Sequence, residues 1–306
     1  MNPQQRIPTD ATEEEQHIFD SAFFQKVSRL KLAITQKSTL NYQGRRRSLL
    51  KGSSAEFSDY REYLPGDDIR RIDWNVYARL EKPYVREYLE EREGAVNIFL
   101  DLSASMGFWG KDILARRLAG AMAVIALSNL DRVGLNIISG GQLQSLRFGG
   151  NKGNVKRALL AVEKATAGGM ADLEQAVRGV SYLPRGMTIL ISDFCEESFL
   201  QKGEKLCRYL RYKGQEVILL QISAPEERSV AMSGTYSLED SEGAYDIVNL
   251  SLDNRTAEAY ERAYSGFLEE THRIAAAAGA GYYTCRVEDG YEKILTQSEK
   301  FPIFKQ

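Results

Sequence analysis

The chain has 306 residues, of which 43% are hydrophobic and 27% charged, with a formal net charge of -2. That near balance gives no reason to expect a nucleic-acid binder, and no run approaches the roughly 18 consecutive apolar residues of a membrane span. Cys195, Cys207 and Cys285 are an odd, widely spaced set that makes neither a disulfide framework nor a zinc pattern, so a reducing cytoplasm is the expected compartment.

Residues 1–16, "MNPQQRIPTDATEEEQ", are polar and carry two prolines and an acidic run, which reads as a disordered tail and not as a signal peptide. Residues 17–94 form a charged segment rich in Tyr and Arg. Between Arg45 and Arg92 it has eleven basic and ten acidic residues, which nearly cancel. "KLAIT" and "PYVREYL" suit strands and "LPGDD" a turn, so a small β-rich N-terminal subdomain is expected. It holds too little hydrophobic material to stand alone.

From Ala95 the texture changes. "AVNIFL" reads as a buried strand and "KDILARRLAGAMAVIALSNL" as a helix with a wide apolar face. "VGLNII" is a second strand and "LQSLRFG" an edge strand. Helices are expected near 153–167 and 172–181, then strand "MTILIS", a helix near 199–212 and strand "EVILLQI". Residues 223–254 are looser. A long helix over about 255–278 and a last strand "GYYTCRV" follow. Strands alternating with helices predict an α/β fold over 95–300, a mostly parallel sheet with helices on both faces in the Rossmann manner.

In such a sheet ligands bind outside the carboxyl ends of the strands. "NIFLDLSASMGFWG" places Asp101 at a strand end and Ser103 and Ser105 in the loop after it; "MTILISDFCEE" places Asp193 at an equivalent strand end. Two carboxylates and two hydroxyls make a hard oxygen set suited to Mg²⁺ or Mn²⁺. The competing expectation is that Ser105 or Asp112 merely caps the helix beginning near Lys111.

"DLSASM" resembles the D-x-S-x-S signature of the metal-ion-dependent adhesion site of von Willebrand factor A domains. The longer stretch "GSSAEFSDYREYLPGDDIRRIDWNVYARLEKPYVREYLEEREGAVNIFLDLSASM" resembles the bacterial DUF58 family, whose members are often found with MoxR-type AAA+ ATPases; the likeness covers about residues 24–222. The resemblance implies a von Willebrand factor A-like domain with Asp101, Ser103, Ser105 and Asp193 as metal ligands. It also implies a threonine in a third loop, where this chain has "GGMADLEQAV", with Met170 and Ala171 in the threonine's place. A thioether is a poor ligand for a hard cation. Asp172 is a further candidate ligand, or the cap of the next helix.

The charged segment interleaves Tyr60, Tyr63, Trp74 and Tyr77 with Arg61, Arg70, Arg71, Arg79 and Arg86. With Asp67, Asp68 and Asp73 these suit an internal network around a small aromatic core. Arg61, Arg70, Arg71 and Arg79 are also candidates for a partner surface. "GRRRSLLKG" at 44–52 is a short basic run in a charge-balanced chain and reads as a solvated loop.

His17 and His272 lie far from any nucleophile motif, and neither a P-loop nor a G-x-S-x-G elbow is present. "GGNKGN" at 149–154 reads as a chain reversal before a helix. Cys195, beside Glu196 and Glu197, reads as a buried or half-buried structural thiol. The expected function is a protein–protein interaction module. Its crevice would receive a partner's carboxylate, bridged by a divalent ion, and the resemblance implies a MoxR-type ATPase as associate in the maturation or assembly of another complex. The alternatives are a metal-dependent phosphoesterase, with Glu196 or Asp172 as base, and a metal-independent scaffold acting through residues 56–92. No nucleic acid and no direct membrane insertion are expected.

Overall fold

The computed structural model describes residues 18–29, 55–90, 94–229, 234–238 and 248–296. The expected tail, the strand "KLAIT" and the basic run at 44–52 lie outside the described residues. By packing the chain divides into two units, one spanning 40–93 and the other the rest.

In the smaller unit β1 (Ala55–Glu62) pairs antiparallel with β2 (Tyr84–Glu90). Between them lies a single 3-10 turn, Ile69–Arg71, and a short helix α2 (Trp74–Leu80) that the sequence reading did not anticipate. Its start is set by Asp73, whose carboxylate accepts from Asn75 N at 2.9 Å and Val76 N at 3.4 Å. Asp68 caps the 3-10 turn in the same way. Arg61 grips Asp67 through two bonds of 2.8 and 2.9 Å, and Tyr60 donates to Asp73 at 2.8 Å. Of the expected internal arginine–carboxylate network, the Arg61–Asp67 pair is present. The aromatic core is not: Trp74 and Tyr77 meet edge to face, yet both are exposed.

The larger unit is built on a six-stranded sheet of order β10-β7-β6-β3-β4-β5. Its strands are β3 (Ala95–Leu102), β4 (Arg132–Ser139), β5 (Gln142–Phe148), β6 (Gly186–Ser192), β7 (Gln215–Ser223) and β10 (Gly281–Arg286). Every pairing is parallel except β4 with β5, an edge strand reached through the "SGG" turn. A separate two-stranded ribbon, β8 (Gly234–Leu238) with β9 (Val248–Leu252), lies within the stretch read as loose. No helix of the described residues is long and apolar enough to cross a membrane.

Alternation along the strands sorts side chains to two faces. Ile98, Leu100 and Leu102 of β3, Val133, Leu135 and Ile137 of β4, and Ile218, Leu220 and Ile222 of β7 share a core with α3 (Lys111–Ser128), α4 (Val155–Lys164) and α9 (Gly290–Thr296). Phe99, Leu190, Val217 and Leu219 point the other way, into a second core with α5 (Leu173–Gly179), α6 (Glu197–Tyr212) and α8 (Asn254–Ala278). The short α7 (Pro225–Arg228) follows β7.

The first core has a contributor that the sequence reading grouped with the charged segment. A helix over 21–29, α1, is preceded by Phe19, and Phe19, Phe23 and Val27 recur every four residues and are buried against α3 and α9. Phe23 also meets Tyr291 at 5.4 Å. Each such side chain contributes about 1.5–3 kcal/mol by leaving water.

Candidate functional site

The face that carries Phe99 and Leu190 also receives Asp101 at the end of β3, Ser192 at the end of β6, and Gln221 and Ser223 at the end of β7, all buried. Period-two alternation thus converts four polar residues into one row at the carboxyl edge of the sheet. Asp101 is only 1% exposed. One of its oxygens accepts the Ser103 N–H at 2.7 Å, and the other the Ser192 hydroxyl at 2.6 Å. The Ser192 oxygen in turn accepts the Phe194 N–H at 2.9 Å, holding that residue at φ 57°, a left-handed backbone that a bulky side chain adopts only when its surroundings compel it.

Ser103 and Ser105 bring their hydroxyl oxygens to 3.1 Å of each other. Neither caps α3: its N-cap is Gly110, with no side-chain bond, and Asp112 faces Arg116 at 3.5 Å. The helix-cap explanation of the serine pair is therefore excluded. The third loop is laid against this one by backbone bonds, Gly168 N to Leu102 O and Ala104 N to Gly169 O, both 2.9 Å. Arg116, buried in α3, fixes the approach by donating to the carbonyls of Val162 and Ala165 at 2.6 Å each. In that loop Ala171 is buried and Met170 exposed.

Asp193 is also buried, but it meets a cation of the chain itself. Lys111, 2% exposed, places its Nζ 2.8 Å from Asp193 Oδ2 and bonds Glu227 Oε1 of α7. Burial alone would lower the lysine's pKa; the charges and bonds of Asp193 and Glu227 outweigh it and leave the ammonium protonated well above its ordinary range. Asp101 is pushed up to about 6 by burial first and then by the charge of Asp193, against the bonds from Ser192 and Ser103. Glu196, which accepts from Leu173 N at 3.3 Å and Ser198 Oγ at 2.9 Å, is raised to about 8, chiefly by burial.

Asp172 caps α5, accepting from Gln175 N at 2.8 Å, as its sequence position suggested. Cys195 departs from expectation: it is exposed, because the turn after Asp193 swings it out of the sheet. Packing around its sulfur, followed by the charges of Asp193 and Glu227, still raises its thiol pKa, so it stays protonated. Cys207 and Cys285 are buried. Of the arginines named as a partner surface, Arg61 is tied to Asp67, Arg70 and Arg79 are exposed, and the side chain of Arg71 lies outside the described ones.

As a cation centre, Asp101, Ser103 and Ser105 would offer three hard oxygens from one loop. Asp193 is held by an ammonium, Asp172 by a helix end, and Met170 and Ala171 bring no oxygen. Among the described residues no group of three or more His, Cys, Asp or Glu side chains is placed to hold a metal. The set in this arrangement does not fit an octahedral Mg²⁺ or Mn²⁺ site of the expected composition. Lys111, Ser192 and Glu227 escaped the sequence reading. Lys111 carried one signal, a cation at the first turn of an apolar helix, where the helix dipole opposes it.

Phe108 and Trp109 stand side by side, ring centroids 5.7 Å apart, 46% and 48% exposed, and the Trp109 ring centroid lies 5.9 Å from Lys111 Nζ. Trp109 has φ 55°, again left-handed, directly before Gly110.

A mostly parallel α/β protein with a buried row of carboxylates and hydroxyls at the carboxyl edge of its sheet is the class that fold and site define. The chain belongs to the family described as "Protein of unknown function DUF58", which it matches over residues 59–267. It is 27% identical over 268 residues to uncharacterized proteins of Mycobacterium tuberculosis and Mycobacterium bovis, a match covering 85% of this chain and 83% of theirs. Among solved structures it is similar to the open conformation of the pilus adhesin SpaC from Lactobacillus rhamnosus GG, at 13% identity and a TM-score of 0.42, over 71% of this chain and 30% of the adhesin. An uncharacterized membrane spanning protein from Vibrio fischeri is similar at 14% identity and a TM-score of 0.22, over 67% and 98%. Neither likeness carries an argument about function.

Proposed function

We propose that this chain is a non-catalytic protein-interaction module that receives a partner segment at the crevice around Ser103 and Ser105. The observation that carries the reading is Trp109: an exposed indole in a costly left-handed backbone, paired with Phe108, its ring centroid 5.9 Å from the buried Lys111 Nζ. Strain of about 1–3 kcal/mol persists where the surroundings impose it, and it gathers at binding sites. Exposed aromatic anchors beside satisfied polar groups are the composition of an interface hot spot. The Ser105 hydroxyl is a donor for a partner carboxylate, and the aromatic pair a seat for an adjoining apolar side chain. On the DUF58 resemblance, a MoxR-type AAA+ ATPase is the partner to try first, in a role in maturation or assembly of another complex. A von Willebrand factor A-like, Mg²⁺-bridged form of the same docking is the competing version.

The test is capture of that purified ATPase, and of lysate proteins identified by mass spectrometry, by wild type, Trp109→Ala, Ser105→Ala and Asp101→Ala, each in Mg²⁺ and in EDTA. Retention in both media, weakened by about 30-fold in Trp109→Ala as a hot-spot loss of roughly 2 kcal/mol requires, is the expected result. Loss in EDTA and in Asp101→Ala instead supports the metal-bridged form. A second reading, a scaffold acting through residues 56–92, draws on the exposed Leu64, Ile69, Trp74 and Leu80 of the smaller unit. It gains if charge reversal at Arg70 and Arg79 abolishes capture while Trp109→Ala leaves it intact. Phosphatase turnover that disappears in Asp101→Ala would move the crevice to catalysis, with Glu196 as acid or base.

A further inference from the structure

Lys111 is the first residue of α3, where a positive charge opposes the helix dipole and where burial strips it of water. Such a lysine persists only with fixed partners. Its two carboxylates are themselves fully engaged: Asp193 Oδ1 accepts the Cys195 N–H at 3.1 Å, and Glu227 Oε2 accepts Ala224 N at 3.0 Å and the Tyr264 hydroxyl at 3.3 Å. The Tyr264 hydroxyl also lies 3.1 Å from Ser223 Oγ. The ammonium therefore joins α3, the end of β6, α7 and α8 at the edge of the row that includes Asp101.

We propose that Lys111 is a tethered cation that occupies Asp193 in place of a divalent ion, so that Asp193 is withheld from any metal and removal of the ammonium opens a divalent-cation site in the crevice. An ammonium and a divalent ion drawn to the same buried carboxylate repel each other with little screening, so the tethered Lys111 disfavours an ion at Asp193. The carboxylates at this edge of the sheet are thus already charge-compensated by a group of the chain itself. This inference goes beyond the proposed docking function and holds whether or not any partner is found.

Mn²⁺ titration of the purified full chain, read by the electron paramagnetic resonance signal of free Mn²⁺, tests it on folded protein. Wild type and Asp193→Asn are expected to agree within about twofold, since Glu227 still holds Lys111 in the variant. Lys111→Met is expected to bind Mn²⁺ at least tenfold more tightly than wild type, and Lys111→Met/Asp193→Asn to lose that gain. Lys111→Met/Glu227→Gln, which removes a negative charge with the positive one, serves if the single variant does not fold by circular dichroism. A tenfold weakening of wild-type Mn²⁺ binding by Asp193→Asn would overturn the proposal, because Asp193 would then be a ligand. Folded Lys111 variants without a gain would overturn it equally.

Discussion

Ser192 shows how much of this site depends on one atom. Its oxygen donates to Asp101 and accepts from Phe194, so a single buried hydroxyl satisfies a carboxylate and fixes a left-handed backbone. Ser192→Ala leaves both partners unsatisfied in a dry setting, each at about 1–3 kcal/mol. We expect a loss of roughly 2–4 kcal/mol in urea unfolding, and a loss below 0.5 kcal/mol would contradict the assigned geometry. The strand-end carboxylates and serine pair were legible in the sequence because an apolar run that stops at Asp101 or Asp193 marks a strand's carboxyl end. Their partners were not. Lys111 and Glu227 are 116 positions apart, and only the fold tells which charge meets which. Ser192 ends the strand "MTILIS", but its role follows from β3 and β6 being neighbours, which alternation alone does not specify.

At the scale of elements, α1 and α3 meet at Gly120. A Cβ there would run into the Phe19 ring and stand 3.0 Å from Leu159 Cδ2. Alanine in a helix interior is ordinarily favoured over glycine by about 1 kcal/mol. Here overpacking outweighs that gain, because the ring is wedged between α3 and Phe23, its centroid 4.9 Å from that of Phe23. Gly120→Ala is expected to destabilise by about 1–2 kcal/mol in chemical denaturation. Phe19→Ala/Gly120→Ala should lose less than the two single changes summed, since removing the Phe19 ring relieves the clash that the methyl at position 120 creates; strict additivity would show that Phe19 does not pack on α3 at Gly120. The alternating strands and long helices of the α/β unit were readable in chain order because both faces of the sheet are buried and their apolar runs are long. α1 was missed because three apolar positions at spacing four are a short signal in charged surroundings. In the smaller unit Trp74 and Tyr77 misled for the opposite reason: aromatic residues suggest a core, yet here they lie on the surface of a two-turn helix started by Asp73.

Across the whole molecule, the crevice leaves a signature in how stability responds to pH. Asp101 and Glu196 hold their protons to about 6 and about 8, above the ordinary carboxylate range that the unfolded chain keeps, chiefly because burial penalises the charged forms. The native state therefore binds more protons than the unfolded one over that interval, and stability falls as pH climbs from about 4.5 to about 8. Surface carboxylates act in the other direction. Glu174, held low by its bond from Arg178, Asp253, by its bonds to Thr256, and Glu270, by Arg273, stabilise the fold above the unfolded pKa and lose that contribution as pH drops through their depressed values. For Asp101 and Glu196 the expected result is therefore higher stability near pH 4.5 than near pH 8. The decline toward pH 8 should amount to a few kcal/mol, or roughly 5–10 °C in Tm. Glu196→Gln keeps an oxygen to accept from Leu173 and Ser198 but has no charge to form. Melting curves from pH 4.5 to 8.5 should show the variant matching wild type at the acid end and exceeding it by several degrees at the alkaline end. A wild-type Tm that is flat or rising from pH 5 to 8, or a variant that tracks wild type throughout, would mean that these carboxyls ionise freely and that the carboxyl edge of the sheet is wetter than its packing indicates.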